Sequence, residues 1–533
     1  MNIKQILNSY NLSLEIRRTM EPVWAELESM FDLSCQNFSN VNMEDGNLSI
    51  ANKKIKNYIS RPRSIWRKSA SLIFGELVTL ENQLLHIYPT DRKSSQDGEV
   101  TETFTEISRI VQEYVNSSFS NFPTLSYEFI LECMLMGTAV MYIEEDFGDN
   151  EPVKFQNIPL REFSFTVNTS NIMEKAFRTV DMYPQDMIEM FGANAPDVCF
   201  TNVERGILDK IKVVNCVYKD RTKKRKPYVG IWFLPDDGII LKTSSFYEQP
   251  YKIHRWDTRT GSIYGYSPAM VAIESVRLLN LCAEAFIINT KRAAAPPILI
   301  GDDGIINPQQ LQGNSIVYGG LDSATGTERV KPLFLNGDIT ANIAGMDYAT
   351  KEIREVFFLD DLMFGEVQTM SATESSLRRD QQMRVASPTV LKLVHTFRDI
   401  FERVFFILLR NKKLPQIPES VAGKDFNIEL LSPLAKMAKY GHLSGINRAI
   451  SNLAPFIQID PSVIDLIDTD KVSRHIVDAS GAPLDFIRKN SEIDAIRQEK
   501  QQQAAEDRDM NQLQMLSGLT KDTRKTPQSL QPI

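Results

Sequence analysis

The sequence is poor in the side chains that most often carry chemistry. Its 533 residues include five histidines and five cysteines, and none of them falls at CxxC spacing or at the helical spacing of a ligand pair. Phosphate-loop, nucleophile-elbow, HExxH and EF-hand patterns are missing. Gly423-Lys424-Asp425 lacks both the upstream glycine and the following Ser or Thr of a phosphate loop. Asp302–Asp303 and Asp360–Asp361 are adjacent acids, read as turn and helix-end carboxylates rather than a metal pair. The sequence therefore predicts no catalytic residue, no metal and no cofactor. A basic excess is missing too: 60 Lys and Arg stand against 68 Asp and Glu, a formal net charge of -8. A conventional nucleic-acid binder is excluded, and any such contact is weak or confined to a small patch. The longest apolar helix contains Glu274, Arg277 and Glu284, which argues against a membrane span, and no apolar signal core follows the first residues. Five widely spaced cysteines (Cys35, Cys133, Cys199, Cys216, Cys282) predict reduced thiols and a soluble, cytoplasmic chain.

What is present is ordinary globular composition, 42% hydrophobic and 24% charged, in a chain long enough for two to four domains. Residues 1–135 read as mostly helical, with helices over 69–87, 104–118 and 125–136. The basic run 61–68 reads as a solvated loop anchored by Trp66. Strand character takes over at 138–143, 163–167, 176–182, 211–218, 228–234 and 239–246, with a short helix over 184–191 and a turn at Asp236-Asp237-Gly238. The fold class is α+β.

Residues 254–267 are rich in glycine and aromatics. Ser267 can then cap a helix, with Pro268 at its first position, that runs to about Ala294. Its apolar residues (Met270, Ile273, Val276, Leu279, Leu281, Phe286, Ile287) go most of the way round. Such a helix needs several neighbours, which can include copies of itself. Residues 298–334 are turn-rich with short strands. Two long helices follow, about 339–359 and 371–412. Ser371 and Glu374 form a capping box at the start of the second, and Pro388 kinks it. Residues 431–486 read as short helices, and the end of the chain as polar and partly disordered.

Three motif regions stand in order along the chain. The run 134–142 (MLMGTAVMY) leads from helix into strand and is followed by 159–163 (PLREF) and Phe177-Arg178. The run 261–268 (GSIYGYSP) precedes the long helix. Residues 370–374 (MSATE), with Arg378 and Arg379 beyond, open the kinked helix. In this order and spacing the chain resembles the portal, or head-to-tail connector, proteins of T7-like short-tailed bacteriophages. The resemblance implies a portal fold and a homo-oligomeric ring, a dodecamer, at one capsid vertex of the virion, assembled in the host cytoplasm. It implies a wing over 1–253, a stem approach and first stem helix over 254–297, and a clip over 298–338. A second stem helix follows over 339–360, a tunnel loop and kinked wing helix over 361–412, a helical crown over 413–490 and a tail over 491–533.

On that resemblance Gly365, Glu366, Val367, Gln368, Thr369 and Met370 form a tunnel loop facing DNA, where the residues alone allow a plain helix–helix turn. Asp347, Glu352 and Glu355 make an acidic, channel-facing stem. Ile273, Leu279 and Ile287 lie at the subunit interface. Asp302, Asp303, Asp322, Thr325 and Arg329 mark the clip that meets motor and tail. The implied partners are the major capsid protein, a terminase motor that supplies ATP hydrolysis, tail adaptor and tail proteins, and double-stranded DNA passing weakly and without sequence preference; no membrane is implied. An acidic balance suits a channel that must not grip DNA. Two other classes compete: a nucleic-acid-processing enzyme, which needs the motifs missing above, and a scaffold or adaptor that forms no ring.

Overall fold

The computed structural model describes residues 2–31, 57–78, 84–90, 98–117, 119–145, 152–294, 298–300, 330–332, 339–359, 372–418 and 426–430, with Val472 and Ile496. Two compact units are distinguished, one of Met1–Tyr88, Phe104–Ile417 and Phe426–Ala435 and one of Pro89–Thr103, Pro418–Asp425 and Lys436–Ile533. Nearly all described residues belong to the first, and the following concerns it.

The first helix, α1 (Ile3–Phe31), serves two neighbours with two faces. Near its start, Ile6 and Tyr10 share one side at i, i+4 spacing and bury against Phe177, Val214, Cys216, Ile231 and Phe233 of a sheet. Further on, Trp24, Leu27 and Phe31 form a second buried set. The Trp24 Nε1 donates to the Met136 carbonyl at 3.1 Å, and its ring meets Tyr264 edge-on at 5.0 Å. The basic run expected as a loop instead opens α2 (Arg61–Leu77), with proline in its first turn. Trp66 is the anchor expected of it, buried with its Nε1 on the Leu131 carbonyl at 3.1 Å. The expected helix over 69–87 ends early, because β1 (Leu85–Pro89) follows with alternating burial. Next come α3 (Gly98–Asn116) and α4 (Phe122–Met136).

The strands fall into two main sheets. β2 (Thr138–Glu145) is the centre of a three-stranded antiparallel sheet, between β3 (Val153–Asn157) and a strand from further along, β9 (Tyr251–Arg255). A five-stranded antiparallel meander runs β4 (Phe163–Val167), β5 (Met173–Met182), β6 (Ile211–Lys219), β7 (Tyr228–Phe233) and β8 (Ile240–Phe246). Between β5 and β6 the chain makes α5 (Pro184–Phe191), as expected, and α6 (Asp197–Glu204), which was not. One face of this sheet holds α1. The second cluster combines Met187, Phe191 and Cys199 with Val213, Leu234 and Leu241.

The helix α7 (Pro268–Ala294) has the bounds that its cap and prolines predict. β10 (Ile298–Ile300) pairs antiparallel with β11 (Val330–Pro332), and α8 (Ile339–Val356) follows. The last long helix, α9 (Ala372–Arg410), runs unbroken through Pro388. It buries Leu393, Phe397, Ile400, Phe401, Val404 and Leu408 at helical spacing, and Phe397 and Phe401 meet Phe122 at 6.1 and 5.4 Å. Finally β12 (Phe426–Leu430) pairs with β1, more than three hundred residues away in sequence. β12 lies within 413–490, where a helical crown was expected, and it is a strand because β1 offers it an edge to pair with. Ser371 and nearly all the rest of the expected crown and tail lie outside the described residues.

The four described cysteines (Cys133, Cys199, Cys216, Cys282) are free. Burial pushes the Cys216 thiol up to about 12.

Candidate functional site

Two of the motif regions meet in space. α4 ends at Gly137 in a left-handed conformation (φ 80°), its N–H on the Cys133 carbonyl at 2.8 Å. The glycine-rich segment before α7 runs against this turn at backbone contact. A Cβ on Gly265 would sit 2.0 Å from the Gly137 carbonyl oxygen, and one on Gly137 would sit 2.3 Å from that of Gly265. Only hydrogen fits in either place. The crossing is then sewn by hydrogen bonds. Trp256 N–H donates to the Gly137 carbonyl at 2.9 Å, Gly265 N–H to the Thr138 hydroxyl at 2.9 Å, and the Ser267 hydroxyl to the Leu135 carbonyl at 2.8 Å. The same Ser267 oxygen accepts the Met270 N–H at 3.0 Å, which is the cap foreseen for α7.

A second tie fixes α9. The buried Arg403 guanidinium donates to the Ile143 carbonyl at 3.1 and 3.3 Å and to the carbonyl and carboxylate of Glu248 at 3.0 and 3.2 Å. Arg410 forks onto Glu145 at 2.9 Å twice and onto Glu248 at 2.7 and 3.1 Å. Burial draws Arg403 down from its ordinary value, with Glu248 and Glu145 opposing the shift. Nearby, the His254 Nδ1 and the Thr396 hydroxyl share a hydrogen bond of 2.8 Å. Burial pulls that imidazole down to about 3, helped by Lys392 and Arg255, so it stays neutral. Its role here is to join β9 to α9. Among the described residues no group of three or more His, Cys, Asp or Glu could hold a metal.

From this fixed base α7 and α8 extend as a pair. Ser275 donates to Glu352 at 2.8 Å, and Gly345 lies against Cys282, whose Sγ would be 2.9 Å from a Cβ there. Moving from 275 to 282 on one helix moves from 352 to 345 on the other, so the two are antiparallel and close-packed. The inner stripe of α7 is Ala272, Val276, Leu279 and Ala283, all buried. Val271, Leu278, Leu281 and Ile288 are 51%, 38%, 64% and 40% exposed. At about 100° per residue these four cluster on one face, roughly 160° from the inner stripe. Ile343 and Tyr348 of α8 are exposed as well.

The expected interface residues divide accordingly. Leu279 is fully buried inside the chain and packs the fold, whereas Ile273 and Ile287 are half-buried. The outward residues Leu278 and Leu281 are the ones that all-round hydrophobicity could not single out.

Two of the three stem carboxylates come together. Glu352, which accepts from Ser275 on α7, and the exposed Glu355 line one shallow groove with Asp257 and Phe358, whereas Asp347 is exposed and pairs with Arg61 at 3.5 Å. Hydrogen bonds from Tyr348 and Ser275 hold the Glu352 carboxyl below its ordinary value. The tunnel-loop residues Gly365 to Met370 and the clip residues Asp302, Asp303, Asp322, Thr325 and Arg329 lie outside the described residues.

Comparison with known proteins bears on the same stretch of chain. A family model described as bacteriophage head to tail connecting protein matches residues 10–487. A portal protein of Salmonella phage epsilon15 is 24% identical over 386 residues, covering 69% of this chain and 68% of the relative. A probable portal protein of Bordetella phage BPP-1 is 25% identical over 396 residues, covering 69% of each.

Proposed function

Since the chain belongs to the bacteriophage head to tail connecting protein family, we propose that it is the portal of a virion. In this reading copies form a ring, a dodecamer, at one capsid vertex. Duplex DNA enters through the ring under a separate terminase and later leaves by the same path, and the clip meets first that motor and later the tail. The T7-like, short-tailed type comes from the motif resemblance. The wing, stem, clip and crown divisions and the tunnel loop belong to the same proposal, as do contacts with the capsid and tail. The chain itself acts as a conduit and needs no chemistry of its own.

The observation that carries this reading is the outer face of α7. A close-packed antiparallel helix pair that still exposes Val271, Leu278, Leu281 and Ile288 on one face has apolar surface that no other described residue covers. Such a patch marks an interaction site, and closed rings arise when identical subunits cover one another's patches around a rotation axis. The acidic balance fits the conduit, because each phosphate neutralised by Lys or Arg adds salt-dependent grip. Negative-stain imaging of the purified full chain tests it. Rings with a central opening are expected. Monomers or dimers at every concentration would favour the scaffold reading, and ATP hydrolysis by the purified chain would favour the enzyme.

A further inference from the structure

The turn joining β6 and β7 carries the most concentrated positive charge in the described chain. Five of the six residues 221–226 are basic (Arg221, Lys223, Lys224, Arg225, Lys226), in a protein of net charge -8. Arg221, Lys223, Lys224 and Arg225 are exposed, and none has an ion-pair partner among the described residues. Nor is this a loose tail. Lys219 and Tyr228 close the ladder beneath it, Asp220 N–H donates to the Pro227 carbonyl at 2.6 Å, and Lys223 N–H donates to the Asp220 carbonyl at 3.2 Å. The Asp220 carboxylate is occupied within the turn, accepting from the Thr222 amide at 3.0 Å and its hydroxyl at 2.7 Å. It shapes the tip and, through its attraction to Lys223, offsets one of the five positive charges.

The base of this hairpin leads to a second basic turn. The Tyr247 ring takes the Lys226 ammonium at 4.7 Å and the Arg410 guanidinium at 4.6 Å, which ties the hairpin to the end of α9. Arg410 is spent on Glu145 and Glu248, but just beyond it Lys412 and Lys413 are exposed. The carboxylates nearest this junction are thus already engaged, while the cations of the two turns are free to meet an anion.

We infer that the 221–226 hairpin, with Lys412 and Lys413 beside its base, is a contact for the phosphate backbone of duplex DNA. The tip is rich in lysine and presents no exposed large apolar anchor. Lysine is depleted at protein–protein interfaces, whereas phosphate contacts need only cations and no base readout. A two-stranded ribbon also matches the width of a major groove. The contact goes beyond the proposed conduit, because the hairpin belongs to the five-stranded sheet and not to the α7–α8 pair. It is also the small patch to which the charge balance confines any nucleic-acid contact.

The test is filter binding of a covalently closed, relaxed circular duplex to the purified full chain between 50 and 200 mM salt. A closed circle cannot thread a preformed ring, so a central opening contributes nothing. With about four phosphates neutralised, affinity falls on the order of a hundredfold over that range. The triple variant Lys223→Glu, Lys224→Glu, Arg225→Glu loses at least tenfold in affinity at low salt and most of the salt dependence, while melting at the wild-type temperature. The milder Lys224→Gln lowers the salt slope by about one, and the exchange Lys224→Arg with Arg225→Lys leaves binding unchanged. Wild-type affinity and slope in the triple variant would overturn the inference, as would failure of the wild-type chain to bind the circle at low salt. Displacement of the circle by poly-glutamate as readily, charge for charge, as by competing duplex would assign the hairpin to an acidic protein instead. Rings seen by imaging together with hairpin-independent DNA binding would sink this contact and leave the portal reading standing.

Discussion

The two sides of α7 teach opposite lessons about what the chain completes by itself. At its start and along its inner stripe, every demand is met within one chain. Ser267 caps the helix, Gly265 passes Gly137 at backbone contact, and Val276 and Leu279 are fully buried. Along the outer face, Leu281 is 64% exposed, although it is only two residues from Leu279. A helix position costs nothing to leave apolar when a neighbour within the chain covers it. When none does, the residue is explained by a neighbour outside the chain. Substitutions should therefore separate into those that damage the folded chain and those that damage only what it joins.

The largest effect is expected at the crossing. Gly265→Ala places a methyl 2.0 Å from a backbone oxygen that cannot yield without moving Gly137. A loss of at least about 3 kcal/mol is expected in denaturant unfolding, often with loss of soluble protein. Unfolding like the wild type would show that the two glycine runs do not cross so closely. Next is Arg403→Met. It leaves the Ile143 and Glu248 carbonyls without their donor and Glu248 with Arg410 alone, at a cost of about 3 kcal/mol in the same measurement. A near-neutral result would mean that water replaces the guanidinium.

A pH effect sharpens the contrast further. The Glu132 carboxyl is enclosed although the residue as a whole is half-buried. Burial, with Glu28, Glu128 and Glu162 nearby, pushes it up to about 8, against the pull of the Leu160 N–H. In the unfolded chain it loses its proton near 4.5, so between 4.5 and 8 the folded state holds the extra proton. Stability then falls as pH rises through that window. The melting temperature should drop by several degrees across it, and Glu132→Gln should flatten the profile. The smallest effect is expected at the exposed pair Arg61–Asp347, 3.5 Å apart with side chains 53% and 69% exposed. Arg61→Ala should change stability by no more than about 0.5 kcal/mol in the same unfolding experiment.

Much of this architecture was legible because local signals agreed. The strands 163–167 and 211–218 show β-branched and aromatic residues, and the helix 268–294 has a serine cap, an N-terminal proline and prolines beyond its end. Where reading failed, the deciding contact was remote. Residues 61–68 looked like a charged loop, but Trp66 packs near Leu131 and makes the run a helix. β1 looked like a helix end because its partner β12 lies more than three hundred residues further along the chain. In the site, periodicity showed that α7 is apolar most of the way round, yet only the positions of its neighbours α1, α4 and α8 decide that Leu279 is inside and Leu281 outside. The basic run 221–226 was in plain view, and its weight becomes clear only once it is seen to sit on a hydrogen-bonded hairpin tip whose one nearby carboxylate, Asp220, offsets a single charge.

The central claim is that α7 divides into an inner face for the fold and an outer face for assembly. Its most direct test is to measure assembly mass and melting temperature together for Leu281→Asp with Ile288→Asp, and for Leu279→Ala. The outer pair should melt within a degree or two of a dissociated wild-type chain yet fail to form large assemblies. Leu279→Ala should cost about 2–5 kcal/mol of stability while the folded fraction still assembles. Full-size assemblies from the outer pair, at wild-type stability, would contradict the account.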